Sequence, residues 1–152
     1  MQTFLPDPDY AKSAKYLDNK RLGKQRLECK QILLALGVPV GPHKPGKRGW
    51  QNHPAVRMWR GYELSLVVYG ACMCFEWRRR RFKDTLTDEF VGAFAFLQTP
   101  AGVLIAQATK PNWIGDEKFH ASHRSNLLRK DKEFYGKFGW AEPDDLPYFW
   151  PV

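Results

Sequence analysis

No stretch of this 152-residue chain approaches the roughly 18 uncharged apolar residues of a membrane span, so a bilayer-crossing helix is not expected. Cysteine is scarce: Cys29, Cys72 and Cys74 are an odd set without zinc spacing, and the last two are too close in a helix to pair comfortably. A disulfide scaffold is therefore excluded, and a reducing cytoplasm is the simplest setting. The opening MQTFLPDPDY has no basic region followed by an apolar stretch, so no signal peptide is expected and residue 1 is read as part of the mature chain. Repeats and low-complexity segments are missing too. Acid is under-represented, with 16 Asp and Glu against 24 Lys and Arg, and the net charge of +8 favours a polyanionic partner. A solvated positive face accounts for the same charge, so position has to decide.

What is present is a mainly α pattern in one compact domain spanning residues 1–152, with 43% apolar and 14% aromatic residues to build a core. Pro6 and Pro8 make the first ten residues extended or turn-like. A first helix runs from about Ala11 or Asp18 to Leu36, ended by Gly37 and Pro39. Its apolar stripe is Leu22, Cys29, Leu33 and Leu36; a neighbouring polar stripe is Arg21, Lys24, Glu28 and Gln31. A loop rich in Gly and Pro follows. A second helix starts at Asn52 or His53 with Pro54 in its first position and runs to about Arg81, with Val56, Trp59, Leu66, Met73 and Trp77 as its core face. Thr85 or Thr87 caps a third, the segment GVLIAQA reads as loop or short helix rather than strand, a fourth covers Asp116 to Arg129, and a short one lies near Lys132 to Lys137. The chain closes on the Pro-rich aromatic tail EPDDLPYFWPV.

Within this frame one acid stands out. In RLGKQRLECK, Glu28 sits among Arg21, Lys24, Arg26 and Lys30. Intrahelical ion pairing is the ordinary account of such a residue. The alternative is that the cations hold phosphates while the acid works on the sugar between them. Further on, HASHR puts His120 and Arg124 one turn apart with Ser122 between, an arrangement suited to phosphate or base contacts. Zinc is the weaker reading of His120 and His123, because no HExxH pattern or nearby Cys completes a set. KEFYGKFGW interleaves Phe134, Tyr135, Phe138 and Trp140 with Lys132 and Lys137, which suits unstacked bases but equally an aromatic core with solvated lysines. The tetrad Arg78 to Arg81 reads as favourable charge at a helix C-terminus.

KYLDNKRL followed by RLE, then GWQNHPAVRMW, then FHASHRSNLLRKDKEFYGKFGW, in that order, resemble the pyrimidine-dimer DNA glycosylase family. That resemblance implies a compact helical fold and a DNA repair enzyme that removes a dimerised or modified pyrimidine from duplex DNA and then cleaves the abasic site, with no metal or cofactor. It further implies that an N-terminal α-amine attacks C1′, that the single acid of the first long helix, here Glu28, assists, and that Arg21, Lys24 and Arg26 grip phosphates. By the same resemblance His120, Ser122, Arg124, Phe134 and Tyr135 contact DNA, and His53 and Arg57, in the NHPAVRMW block, are further DNA-binding candidates, with His53 either at the edge of the site or a structural cap of the second helix. The expected setting is the cytoplasm of a bacterial or phage-infected cell, and the expected state a monomer.

The chemistry suits an amine for a reason independent of the resemblance. An α-amine ordinarily titrates around 7.7–8.0 and lysine near 10.4, so the former is a Schiff-base nucleophile at neutral pH without strong perturbation. One feature departs from the family pattern: a small second residue there allows the initiator Met to be removed, whereas Gln2 is bulky and disfavours removal. The nucleophile is then the amine of Met1. A lysine or water in its place, giving a monofunctional glycosylase for another modified base, and a non-catalytic DNA-binding protein are the alternatives.

Overall fold

A computed structural model describes residues 1–45, 48–103 and 110–152, and the described residues are helical without strands, apart from an isolated bridge between Val40 and His43. Residues 104–109, which hold most of the GVLIAQA segment, lie outside the described residues.

The first expected helix is two. Helix α1, Tyr10–Tyr16, starts where the Asp9 carboxylate accepts the Lys12 N–H, and α2, Asn19–Ala35, follows after a break in which Leu17 and Asp18 are extended. The second is also two: α3, Pro54–Arg57, is capped by the His53 ring accepting from the Ala55 N–H, and α4 covers Glu63–Arg79. Between them Gly61 takes φ +86°, a left-handed turn that favours glycine, and its N–H donates to the Glu63 carboxylate. Periodicity carried across this turn because Val56, Trp59 and Leu66 are buried on both sides of it.

Helix α5, Thr87–Leu97, is led in by Asp84, whose carboxylate accepts the Leu86 and Thr87 N–H groups, rather than by Thr85 or Thr87. A short α6, Pro100–Val103, precedes α7, Glu117–Lys130, capped by Asp116; α8, Lys132–Tyr135, and a 3-10 turn at Gly136–Phe138 lead into the tail.

Helix α4 is the spine, packing against α1, α2 and α5. Close approach requires Gly70: a Cβ there would lie 2.6 Å from the Cys29 Sγ of α2 and 3.0 Å from Phe90 of α5. The core joins Leu22, Cys29 and Leu33 of α2, Leu66 and Met73 of α4, Phe90 of α5 and Phe119 of α7. No helix among the described residues is long and apolar enough to cross a membrane.

Candidate active site

The first residues are as buried as the core. Gln2, Thr3, Phe4 and Leu5 are all under 10% exposed, in an extended segment whose prolines deny it helix or ladder partners. Its backbone polar groups must be satisfied by side chains, since leaving them unpaired in the interior is costly. The Gln2 N–H donates to Glu28 Oε2 at 2.6 Å, the Phe4 N–H to Gln25 Oε1 at 2.9 Å, and the Leu5 N–H to His123 Nδ1 at 2.9 Å. Tyr69 donates to the Phe4 carbonyl, His120 Nδ1 to the Leu5 carbonyl at 2.8 Å, and Arg124 to the Pro6 carbonyl. Trp59 donates its indole N–H to the Thr3 hydroxyl. Side chains of α2, α4 and α7 thus cradle the N-terminal segment and fix where the chain begins.

This cradle corrects the expected roles of three residues. His120 is fully buried and spends both ring nitrogens on backbone, Nδ1 on Leu5 and Nε2 accepting the Gly115 N–H at 3.0 Å. Ser122 is buried, donating to the Phe119 carbonyl and accepting the Phe149 N–H. Arg124 is tied to Glu117, Glu142 and Pro6. None of these side chains is free to meet a phosphate. Neither does zinc find a ligand set: no group of three potential ligands gathers among the described residues.

His123 accepts through Nδ1, which places its proton on Nε2 and keeps the ring neutral. Burial, reinforced by the neighbouring His120, lowers its pKa from 6.5 to about 3, and burial lowers that of His120 as well. Because the folded values lie below the unfolded one, the unfolded chain binds these protons first. The contribution is complete above pH 6.5 and is lost as pH falls toward about 3. We expect urea-unfolding stability to drop by up to about 1.4 kcal/mol per pH unit across that window from His123 alone, and His123→Gln to flatten the slope. A pH-independent stability between 6.5 and 4 in the unaltered chain contradicts the assignment.

Glu28 makes the expected ion pair and one further contact. Its Oε1 lies 3.5 Å from Lys24 Nζ, the expected one-turn pair, while Oε2 takes the backbone of residue 2. Arg21 is held by Asp18 at 3.2 Å, and Asp18 in turn accepts from the buried Tyr135 hydroxyl. Tyr135 therefore positions Arg21 rather than presenting a ring to a base. Phe134 is half-buried with Lys137 Nζ 3.8 Å from its ring centroid, inside an aromatic cluster with Phe138 and Trp140.

Arg26, one of the expected phosphate grips, points the other way. It is buried, lies 4.9 Å from the Trp77 ring, and is ion-paired with the fully buried Asp84 side chain. Burial pushes the Asp84 carboxyl up, but its bonds from Thr87, Leu86 and Arg26 prevail and hold it at about 2. Two cations that the sequence did not single out, Arg129 and Lys130, stand in the last turn of α7. Burial and the charges of Arg21, Lys24 and Arg129 lower the Lys130 pKa, with Glu28 acting against them. These cations therefore share one region with the acid.

The distinction is testable. Arg26→Gln strands the buried Asp84 charge and is expected to cost about 3–5 kcal/mol of stability. Lys130→Gln is expected to leave stability nearly unchanged and to reduce the slope of log K against log salt for DNA by about one. Equal salt slopes for the unaltered chain and Lys130→Gln contradict this division of labour.

His53 caps α3 and stands between Trp50 and Trp150, with ring centroids 5.9 and 6.0 Å away. Its pKa is lowered by burial and by the positive N-terminal amine, partly opposed by Glu28, so both charges lie within its field. Arg57 is exposed on α3.

A helical protein thus holds its own N-terminal segment against a buried acid. The family model for pyrimidine dimer DNA glycosylase matches residues 1–90, and the chain belongs to that family of DNA repair glycosylases. The matched part holds the N-terminal segment, Glu28, Arg21, Lys24 and His53, while α7 and the tail lie beyond it. Searches of curated proteins and of solved structures find no match.

Proposed function

We propose that this chain, acting as one unit over residues 1–152, removes a damaged pyrimidine from duplex DNA and then cleaves the abasic strand through a Schiff base on its N-terminal amine. The observation that carries the reading is the 2.6 Å bond from the Gln2 N–H to Glu28. It sets the start of the chain against the acid, with the amine of Met1 one residue, about 3.8 Å in Cα spacing, further along. If Met1 is removed, the amine becomes the nitrogen that already touches Glu28.

The neutral amine attacks C1′ as the glycosidic C–N bond breaks, and the base leaves with the bonding electrons and takes up a proton. Opening of the sugar ring gives an iminium, whose positive charge the Glu28 carboxylate stabilises. Removal of a C2′ proton, for which Glu28 is the nearby base, drives β-elimination: the C3′–O bond breaks and the 3′ phosphate departs. Water then hydrolyses the imine and restores the amine. Arg21, Lys24, Arg129 and Lys130 hold the flanking phosphates, and DNA with an unstacked nucleotide supplies the reacting sugar at a cost of a few kcal/mol.

Gel analysis of a duplex carrying one pyrimidine dimer tests this reading. Strand scission without added alkali is the expected result. Scission only after alkali shows a monofunctional glycosylase, and intact strands on both dimer and abasic duplexes, with DNA bound, show a binding protein.

A further inference from the structure

Helix α4 is apolar on two sides, and the fold covers one of them. Toward α2, Gly70 admits the Cys29 sulfur, Tyr69 reaches Gln25, and Trp77 abuts Gly23. On the opposite side Val68, Ala71, Phe75 and Arg78 repeat at 3, 4 and 3 residues, a second stripe along the same helix. Helix α5 is built alike: Phe90, Ala93 and Leu97 are buried, while Val91 and Phe94 turn outward. Val68 is 44% exposed, Phe75 71%, Val91 62% and Phe94 43%. A helix apolar all round ordinarily has neighbours on every side, and a contiguous apolar patch on the surface marks a contact site.

The outer stripes of α4 and α5 line a groove of about 530 Å³, with Ala11 and Lys15 of α1 along its other edge. From Val68 to Arg78 the α4 stripe runs roughly 15 Å, about three helical turns. The groove is also charged at one end. Its one acid, Glu76, is 2% exposed and held by Arg79 at 2.7 Å and Arg80 at 2.9 Å. Lys15 and Arg78 are exposed and have no ion-pair partner among the described residues. Both stand at the C-terminal end of α4, where the Arg80 guanidinium reaches the Lys15 carbonyl at 3.2 Å.

We propose that this groove docks an amphipathic helix of a partner protein, its apolar stripe on Val68, Phe75, Val91 and Phe94 and its acidic residues on Lys15 and Arg78. Apolar residues at i, i+3, i+4 and i+7 seat a helix in such a groove. Charge selects this occupant over a second copy of the chain: each copy carries +8, and the same groove on another copy offers no exposed acid to Lys15 and Arg78. DNA would answer those two cations but leave Phe75, Val91 and Phe94 uncovered. The inference goes beyond the glycosylase reading and does not rest on it, because the groove opens on the side of α4 turned away from α2, which carries Glu28.

The full chain is titrated, by fluorescence anisotropy, with labelled synthetic peptides of about 15 residues, roughly four helical turns. The first has Leu at i, i+3, i+4 and i+7 and Glu in its first and last turns, so that either direction sets an acid on Arg78. The second carries Lys in place of Glu, and the third scrambles the first. The acidic peptide is expected to bind at micromolar concentration and the other two far more weakly. Phe75→Ser and Val91→Ser are each expected to weaken it by about tenfold or more. Both side chains are mostly exposed, so unfolding curves of the variants are expected to coincide with that of the unaltered chain. Arg78→Glu is expected to reverse the preference toward the lysine peptide, and duplex DNA is expected to leave the acidic peptide bound.

Binding that survives Phe75→Ser and Val91→Ser, or that duplex DNA displaces, puts the peptide on the cations near Glu28 and overturns the proposal. Equal binding of the scrambled peptide, or no binding of any of the three, overturns it too. Light scattering over a range of protein concentrations is expected to give a constant monomer mass. A dimer that Phe75→Ser dissolves assigns the groove to a second copy instead. Loss of duplex affinity in Phe75→Ser and Val91→Ser, at equal folding, assigns it to DNA, and either result contradicts the acidic helix.

Discussion

Glu28→Gln is expected to reduce base release and strand cleavage by about 10²–10⁴-fold, the range for losing a positioned acid–base group, while the chain stays folded and binds DNA at least as tightly. The amide keeps an oxygen that can accept the Gln2 N–H, so the N-terminal segment retains its anchor. What disappears is the negative charge that stabilises the iminium and takes the C2′ proton. Removing that charge from among Arg21, Lys24 and Lys130 also removes its opposition to phosphate, which is why affinity should hold or rise. Single-turnover rates and Kd, both measured on one abasic duplex, separate the two effects. Activity within threefold of the unaltered chain, at equal folding, removes Glu28 from the chemistry and leaves it as the partner of Lys24.

The second large effect concerns the amine. A Gly-Ser extension before Met1 whose own terminus is acetylated, or acetylation of the α-amine itself, is expected to abolish Schiff-base cleavage, because an amide nitrogen has no free electron pair to form an imine. Moving the same extension to the C-terminus is expected to preserve cleavage. Met1 is only half-buried whereas Gln2 to Leu5 are buried, so an added segment has room to leave the site while the cradle survives. Unfolding curves of the two extended forms check that point. Full cleavage by the N-terminally extended form contradicts the mechanism and transfers the nucleophile to a lysine.

Local signals in the sequence anticipated much of the helical frame. Asp116 and His53 with Pro54 mark helix starts that the structure has, and the stripe Leu22, Cys29 and Leu33 faces the core. Such signals depend on neighbours within a turn or two, and they failed where distant residues decide. Gly61 ended a helix whose apolar period continued beyond it. His120, Ser122 and Arg124 looked like a DNA face because a polar stripe on a helix reads the same whether it meets solvent or a buried extended segment. Here it meets backbone atoms of residues 5 and 6 and of the tail, more than 110 positions away in the first case. Arg26 failed likewise, since its partner Asp84 lies 58 residues on.

The candidate site divides along the same line. Glu28, Arg21 and Lys24 share one helix face and were legible from spacing. Arg129 and Lys130 were not, because no period within α2 reports the end of α7. The buried polar residues Gln25, His120 and His123 form a class that hydrophobic patterning misses altogether. Their purpose is to satisfy the backbone of an extended N-terminal segment, a role that shows only in three dimensions.

The measurement that bears most directly on the central claim is borohydride trapping on an abasic duplex, using protein with its native N-terminus and mass-spectrometric mapping of the adduct. The account predicts a reduced covalent adduct on the α-amine of residue 1, or of residue 2 if Met1 has been removed, and its loss when that amine is acetylated. An adduct on Lys24 or Lys130, or tight binding with no adduct, contradicts it.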